Sequence, residues 1–94
     1  MKVTFAPRAV RDLDAISAFI ARENPRAASR VIARIDELTS RLGEHPGMGR
    51  ETELPPTRVF PVPDFPYLIF YAARGDGEVR ILRVRHAARQ RRRP

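Results

Sequence analysis

Residues 16–32 read I-S-A-F-I-A-R-E-N-P-R-A-A-S-R-V-I, and the Asn24-Pro25 pair within them decides the fold. Asn caps a helix with its side-chain oxygen, and Pro suits the first helical position, where its missing N–H has no intrahelical partner. Pro also drives the residue before it out of the helical region. One helix therefore ends before Asn24 and a second begins at Pro25. Upstream, Pro7 opens the first helix, and Val10, Leu13, Ile16, Phe19 and Ile20 recur at spacings of three and four, predicting one apolar stripe. Downstream, Ala28, Val31, Ile32, Ile35, Leu38 and Leu42 continue the pattern, with Gly43 as the stop and Pro46 as the bar to resumption. Two helices joined by so short a link make an antiparallel hairpin with one shared apolar face.

That face needs a surface to cover. Lys2 to Phe5 alternates as a first strand. Residues 43–57 are irregular and rich in Gly, Pro and Glu. Arg58 to Val62 is extended and Pro-flanked, pointing to an edge or a strand end. Tyr67 to Ala72 is a continuous apolar run suited to a central strand, with Tyr67 and Tyr71 on one face and Phe70 on the other. Arg74-Gly75-Asp76-Gly77 supplies a hairpin turn, and Val79 to His86 is the last strand. The order β-αα-βββ predicts an α+β sandwich of two layers, the helical hairpin on a small antiparallel sheet whose other face stays open. Residues 1–88 are expected to form one domain, with 89–94 as a basic tail.

Composition narrows the class. The chain has 94 residues and no cysteine, so disulfide scaffolds and thiolate zinc sites are excluded. No segment has the length and apolarity of a signal peptide or a membrane span, and a cytoplasmic location is expected. The net charge of +7 is concentrated at one end. Residues 78–94 hold seven arginines against one glutamate, whereas residues 1–77 are nearly balanced. Such asymmetry suits a polyanionic partner, either nucleic acid or an acidic protein segment.

Four segments, read together in their order, resemble the ParE branch of the ParE/RelE toxins. They are A-V-R-D-L-D-A-I-S-A-F-I at 9–20, N-P-R-A-A at 24–28, L-G-E-H-P-G-M-G-R at 42–50, and P-Y-L-I-F-Y at 66–71 with I-L-R-V-R-H-A-A-R at 81–89. The resemblance implies a RelE/ParE-like fold and a cognate antitoxin of the ParD kind, in a hetero-oligomer. It implies growth arrest through DNA gyrase, and a role of the plasmid-stabilisation type. RelE- and YoeB-like relatives instead cleave mRNA on the ribosome, which is the alternative for this chain.

Several residues are candidates for that activity. Unbroken alternation along the last strand puts Arg80, Leu82, Val84 and His86 on one face, and Val79, Ile81, Arg83 and Arg85 on the other. With Leu82 and Val84 read as core, Arg83 and Arg85 point to the open face and, with Arg89, are expected to bind the target. A ribonuclease would draw on Arg50, Arg58, Arg83 and His86, with His86 as acid or base and arginines stabilising the phosphate. Two features weigh against it. Residues 51–57, E-T-E-L-P-P-T, open with carboxylates that would repel RNA. Ala87 stands where YoeB-like relatives carry a tyrosine after the histidine, so the acid–base set is incomplete. Inhibition by binding is therefore expected, not catalysis, with His86 in a structural or capping role. Arg50, which ends the P-G-M-G-R segment after Gly47 and Gly49, is expected to tie its loop down. Val10, Leu13 and Phe19 beside the first helix, with Arg58, Arg91 and Arg92, are expected to hold the antitoxin. With two histidines and no carboxylate at metal-ligand spacing, neither a metal nor a cofactor is expected.

Overall fold

The computed structural model describes residues 1–88. The elements follow in the order β1 (Lys2–Phe5), α1 (Pro7–Ala21), α2 (Pro25–Glu44), a single 3-10 turn (Pro46–Met48), β2 (Arg50–Glu51), β3 (Thr57–Pro61), β4 (Tyr67–Arg74) and β5 (Glu78–His86). Pro7 and Pro25 each open their helix. The Asn24 side chain accepts from the Ala27 N–H at 3.1 Å, closing the cap that the sequence predicts.

The helices bury unequal faces. Val31, Ile35, Leu38 and Leu42 of α2 are buried, and each contributes about 1.5–3 kcal/mol of hydrophobic stabilisation. In α1, Ala9 is buried, while Leu13, Ile16 and Ile20 pack half-buried against the core. Val10 and Phe19 lie outside it, 45% and 67% exposed. At roughly 100° per residue they fall on opposite shoulders of the Ala9–Leu13–Ile16–Ile20 line, so the apolar stripe is narrower than the sequence suggests. Gly43 does not stop α2, which runs one residue further. It is a point of close approach: a Cβ there would meet Val3 Cγ2 at 2.6 Å and the Met1 carbonyl oxygen at 3.1 Å. The Met1 ammonium also donates to the Gly43 carbonyl at 3.0 Å, fastening β1 beneath the end of α2.

The five strands lie in the order β1-β5-β4-β3-β2. Three pairings are antiparallel, two of them (β3–β4 and β4–β5) as the sequence predicts, but β1 runs parallel to β5, in register from Lys2↔Glu78 to Phe5↔Ile81. The sheet is mixed because β1 and β5 are joined through the helical hairpin and three strands. A connection of that length permits a parallel pairing, which a short turn could not make. The short β2 extends the sheet from within the stretch that reads as irregular.

A β-bulge resets the faces of β5. The β4–β5 register passes from Phe70↔Arg83 to Tyr71↔Ile81, leaving Leu82 as the extra residue. Unbroken alternation is therefore wrong here. Val79, Ile81 and Val84 all enter the core with Ile69 and Tyr71. Arg80, Arg83 and Arg85 pair with Ala72, Phe70 and Leu68 on the opposite face. Among the described residues, no helix is long and apolar enough to cross a membrane.

Candidate functional site

Where β1 ends opposite Ile81, the next part of β5 loses its neighbour, and α1 places Asp12 beside it. Its carboxylate accepts from Arg83 Nε at 2.8 Å, from Arg83 Nη2 at 3.1 Å and from the Val84 N–H at 2.9 Å. Burial pushes the Asp12 carboxyl up. The two hydrogen-bond partners and the charges of Arg83 and Arg85 outweigh it and hold the group below its ordinary value. On the other side, the hydrogen bond to Asp12 raises the Arg83 guanidinium further above its already high value. Arg83 is thus on the predicted face at its backbone, but its guanidinium is clasped. Arg85, two residues on, makes no ion pair among the described residues. Its Nε is buried without an acceptor.

The loop between α2 and β3 is held from below. The Tyr71 hydroxyl donates to the Pro46 carbonyl at 2.7 Å and accepts from the Gly49 N–H at 2.8 Å. A Cβ on Gly49 would stand 2.6 Å from that hydroxyl and 2.8 Å from the Val59 carbonyl oxygen, so the ring and the strand leave room only for glycine. Arg58 donates from Nη1 to the Gly49 carbonyl at 2.7 Å and pairs with Glu51 at 3.5 Å. The tie-down that the sequence assigns to Arg50 therefore belongs to Arg58. Arg50 itself is exposed. Register puts it opposite Val59, and Val59 opposite Phe70, in the same row as Arg83 on the open face.

His86 lies on the core side of β5, its ring edge-on to Tyr67 with centroids 5.5 Å apart. Its Nδ1 accepts the Ala88 N–H at 3.1 Å, a local cap where the strand turns. Burial pushes the Tyr67 hydroxyl up. Of the ribonuclease set, Arg50 and Arg83 share the open face, whereas Arg58 and His86 lie in rows of the core face. The four are not brought together on one surface. Among the antitoxin candidates, Leu13 faces the core while Val10 and Phe19 stay exposed on opposite flanks of α1. Arg89, Arg91 and Arg92 lie outside the described residues. Asp12 was missed by sequence reasoning, since an acid grouped with Arg8, Arg11, Asp14 and Arg22 on the polar side of an amphipathic helix reads as a solvated face.

The family of ParE toxins of type II toxin–antitoxin systems, parDE, matches residues 3–91. The chain belongs to the ParE toxin family. Two curated relatives agree with this. A Sinorhizobium fredii protein named as the toxin Y4kP is 40% identical over 95% of this chain and 91% of its own length. Toxin RelE2 of Caulobacter vibrioides is 39% identical over 94% of this chain and 97% of its own. Among solved structures, the chromosomal ParDE toxin–antitoxin system from P. aeruginosa contains a chain that superposes with a TM-score of 0.79. It is 27% identical, over 92% of this chain and 95% of that one. This ParE-family toxin keeps the α+β fold of that neighbour, with a helical hairpin on one face of the sheet.

Proposed function

We propose that this ParE-family toxin arrests growth by binding DNA gyrase, and that a cognate ParD-like antitoxin encoded with it neutralises it in a stable complex. The observation that carries the reading is the family match over residues 3–91. The solved relative, described as a ParDE system, supports the antitoxin partner. Arg83 and Arg85 remain the proposed target-facing pair, with Arg89 beside them. Arg85 is the better handle, because Arg83 already serves Asp12. Val10 and Phe19 offer apolar contacts for an antitoxin segment laid along α1, and Leu13 supports them from below.

Inhibition by binding is further supported by His86, which stands in a core-face row against Tyr67 and not beside Arg50 and Arg83 on the open face. A base in an RNA-cleaving site would need a free nitrogen within reach of the 2′-hydroxyl. A second reading is a ribosome-dependent mRNA endonuclease, favoured by the relative named RelE2. Pulse labelling of DNA and protein synthesis, in the minutes after the toxin is induced without its antitoxin, separates the two. Early failure of DNA synthesis, followed by loss of supercoiling activity with purified gyrase, supports the gyrase reading. Early failure of protein synthesis overturns it and makes His86→Ala the next variant to test.

A further inference from the structure

The sheet face opposite the helices has a charge imbalance of a specific kind. Three arginines of β5 stand there, and the first two are answered within the chain. Arg80 lies 3.8 Å from Glu78 and 3.4 Å from the Thr4 hydroxyl, and Arg83 forks onto Asp12. Arg85 feels the charge of Asp12 but makes neither an ion pair nor a hydrogen bond among the described residues. Its half-buried side chain includes a buried Nε without an acceptor, which a folded protein rarely tolerates unless something else supplies the partner. Across the sheet, the exposed Arg50 is the second guanidinium of this face without a hydrogen bond among the described residues. Between these two cations the face is apolar, with Val59 and Pro61 of β3 opposite Phe70 and Leu68 of β4.

We infer that this face binds an acidic protein segment, with apolar side chains on Phe70 and Leu68 and flanking carboxylates on Arg85 and Arg50. The inference rests on the reading that the toxin acts by docking on a macromolecule through this face, and it names the chemistry of that partner. Adjacent strands are about 4.8 Å apart, so three spacings place the β2 and β5 rows about 14 Å apart. One extended or helical segment fits between them. A nucleic acid fits the face less well, because its backbone presents phosphates at short, regular intervals and wants a continuous line of cations. Here the middle of the face is apolar, and Glu78 stands at its margin. A carboxylate takes a guanidinium fork in two parallel bonds, and a modest swing of Arg85 would bring its idle Nε to such a ligand.

The test uses the full-length toxin, isotopically labelled, and a short synthetic peptide of alternating Glu and Leu. Expected are amide shifts at Leu68, Phe70 and Arg85, with the α2 amides unmoved. The same peptide with Gln for Glu should bind at least tenfold more weakly, and Arg85→Gln should weaken the Glu peptide by a similar factor. Arg50→Gln, at an exposed position, provides a second variant if Arg85→Gln fails to fold. The inference is overturned if the shifts fall on the helices or only beyond residue 86. It is also overturned if the Gln peptide binds equally well, or if single-stranded DNA of similar length binds this face more tightly than the peptide. None of these outcomes depends on gyrase, so failure of the gyrase reading in pulse labelling is a separate result.

Discussion

Asp12 and Arg83 lie 71 positions apart and meet in a fork, the arginine Nε and Nη2 donating to the two carboxylate oxygens. The same carboxylate accepts the Val84 N–H. One side chain of α1 therefore neutralises a cation and also closes a backbone donor on the strand edge that β1 leaves bare. This clasp fixes where α1 crosses the sheet, and it removes Arg83 from the pool of free cations that the sequence suggests.

Replacing Asp12 by Asn leaves the Arg83 guanidinium with a weaker acceptor and should cost about 1–3 kcal/mol at neutral pH, read by chemical denaturation. The effect should depend on pH. An unfolded Asp titrates near about 3.9, and the folded value lies lower. The contribution is therefore complete above that pH and is lost as pH falls through the folded value, where the carboxyl becomes protonated. The gap between wild type and Asp12→Asn should close in acid. A gap that stays constant well below the unfolded value would remove the charge from this account.

Tyr71→Phe deletes one hydroxyl that serves two backbone groups, the Pro46 carbonyl and the Gly49 N–H. Stability should fall by about 1–3 kcal/mol, and amide exchange at Gly49 should rise more than at β4. A variant as stable as wild type would mean that the loop finds other partners.

Gly43→Ala sets two effects against each other. Alanine favours a helix over glycine by about 1 kcal/mol, but its Cβ would sit 2.6 Å from Val3 Cγ2, and overpacking typically costs about 1–3 kcal/mol. The clash should win. Combining it with Val3→Ala should recover part of the loss, so the double-mutant cycle should show a coupling that relieves strain. Additive losses would mean that β1 does not bear on Gly43.

Phe19 is two-thirds exposed, so Phe19→Ser should leave stability within about 0.5 kcal/mol. If an antitoxin segment lies along α1, the same change should weaken the complex about tenfold or more, since exposed aromatics often anchor interfaces. Isothermal titration with the antitoxin reads this directly. Unchanged affinity would move the antitoxin away from this flank.

The sequence by itself determined the helical hairpin and most of the strands. Local rules decide those elements: Asn24 caps α2 through its own neighbour Ala27, Pro7 and Pro25 open their helices, and the run from Tyr67 is a central strand because both of its faces need cover. Tertiary structure decided the rest. The parallel seat of β1 against β5, the close approach at Gly43, the Tyr71 support of the Gly49 loop and the Asp12–Arg83 clasp each join residues far apart in the chain. No periodicity encodes such contacts. The bulge at Leu82 shows why the candidate site was only half legible. An extra residue shifts the two-residue repeat, and where it sits is settled by which side chains fit the core against Ile69 and Tyr71. Arg83 and Arg85 read alike in the sequence; only the fold gave Arg83 the Asp12 fork and left the Arg85 Nε without an acceptor among the described residues.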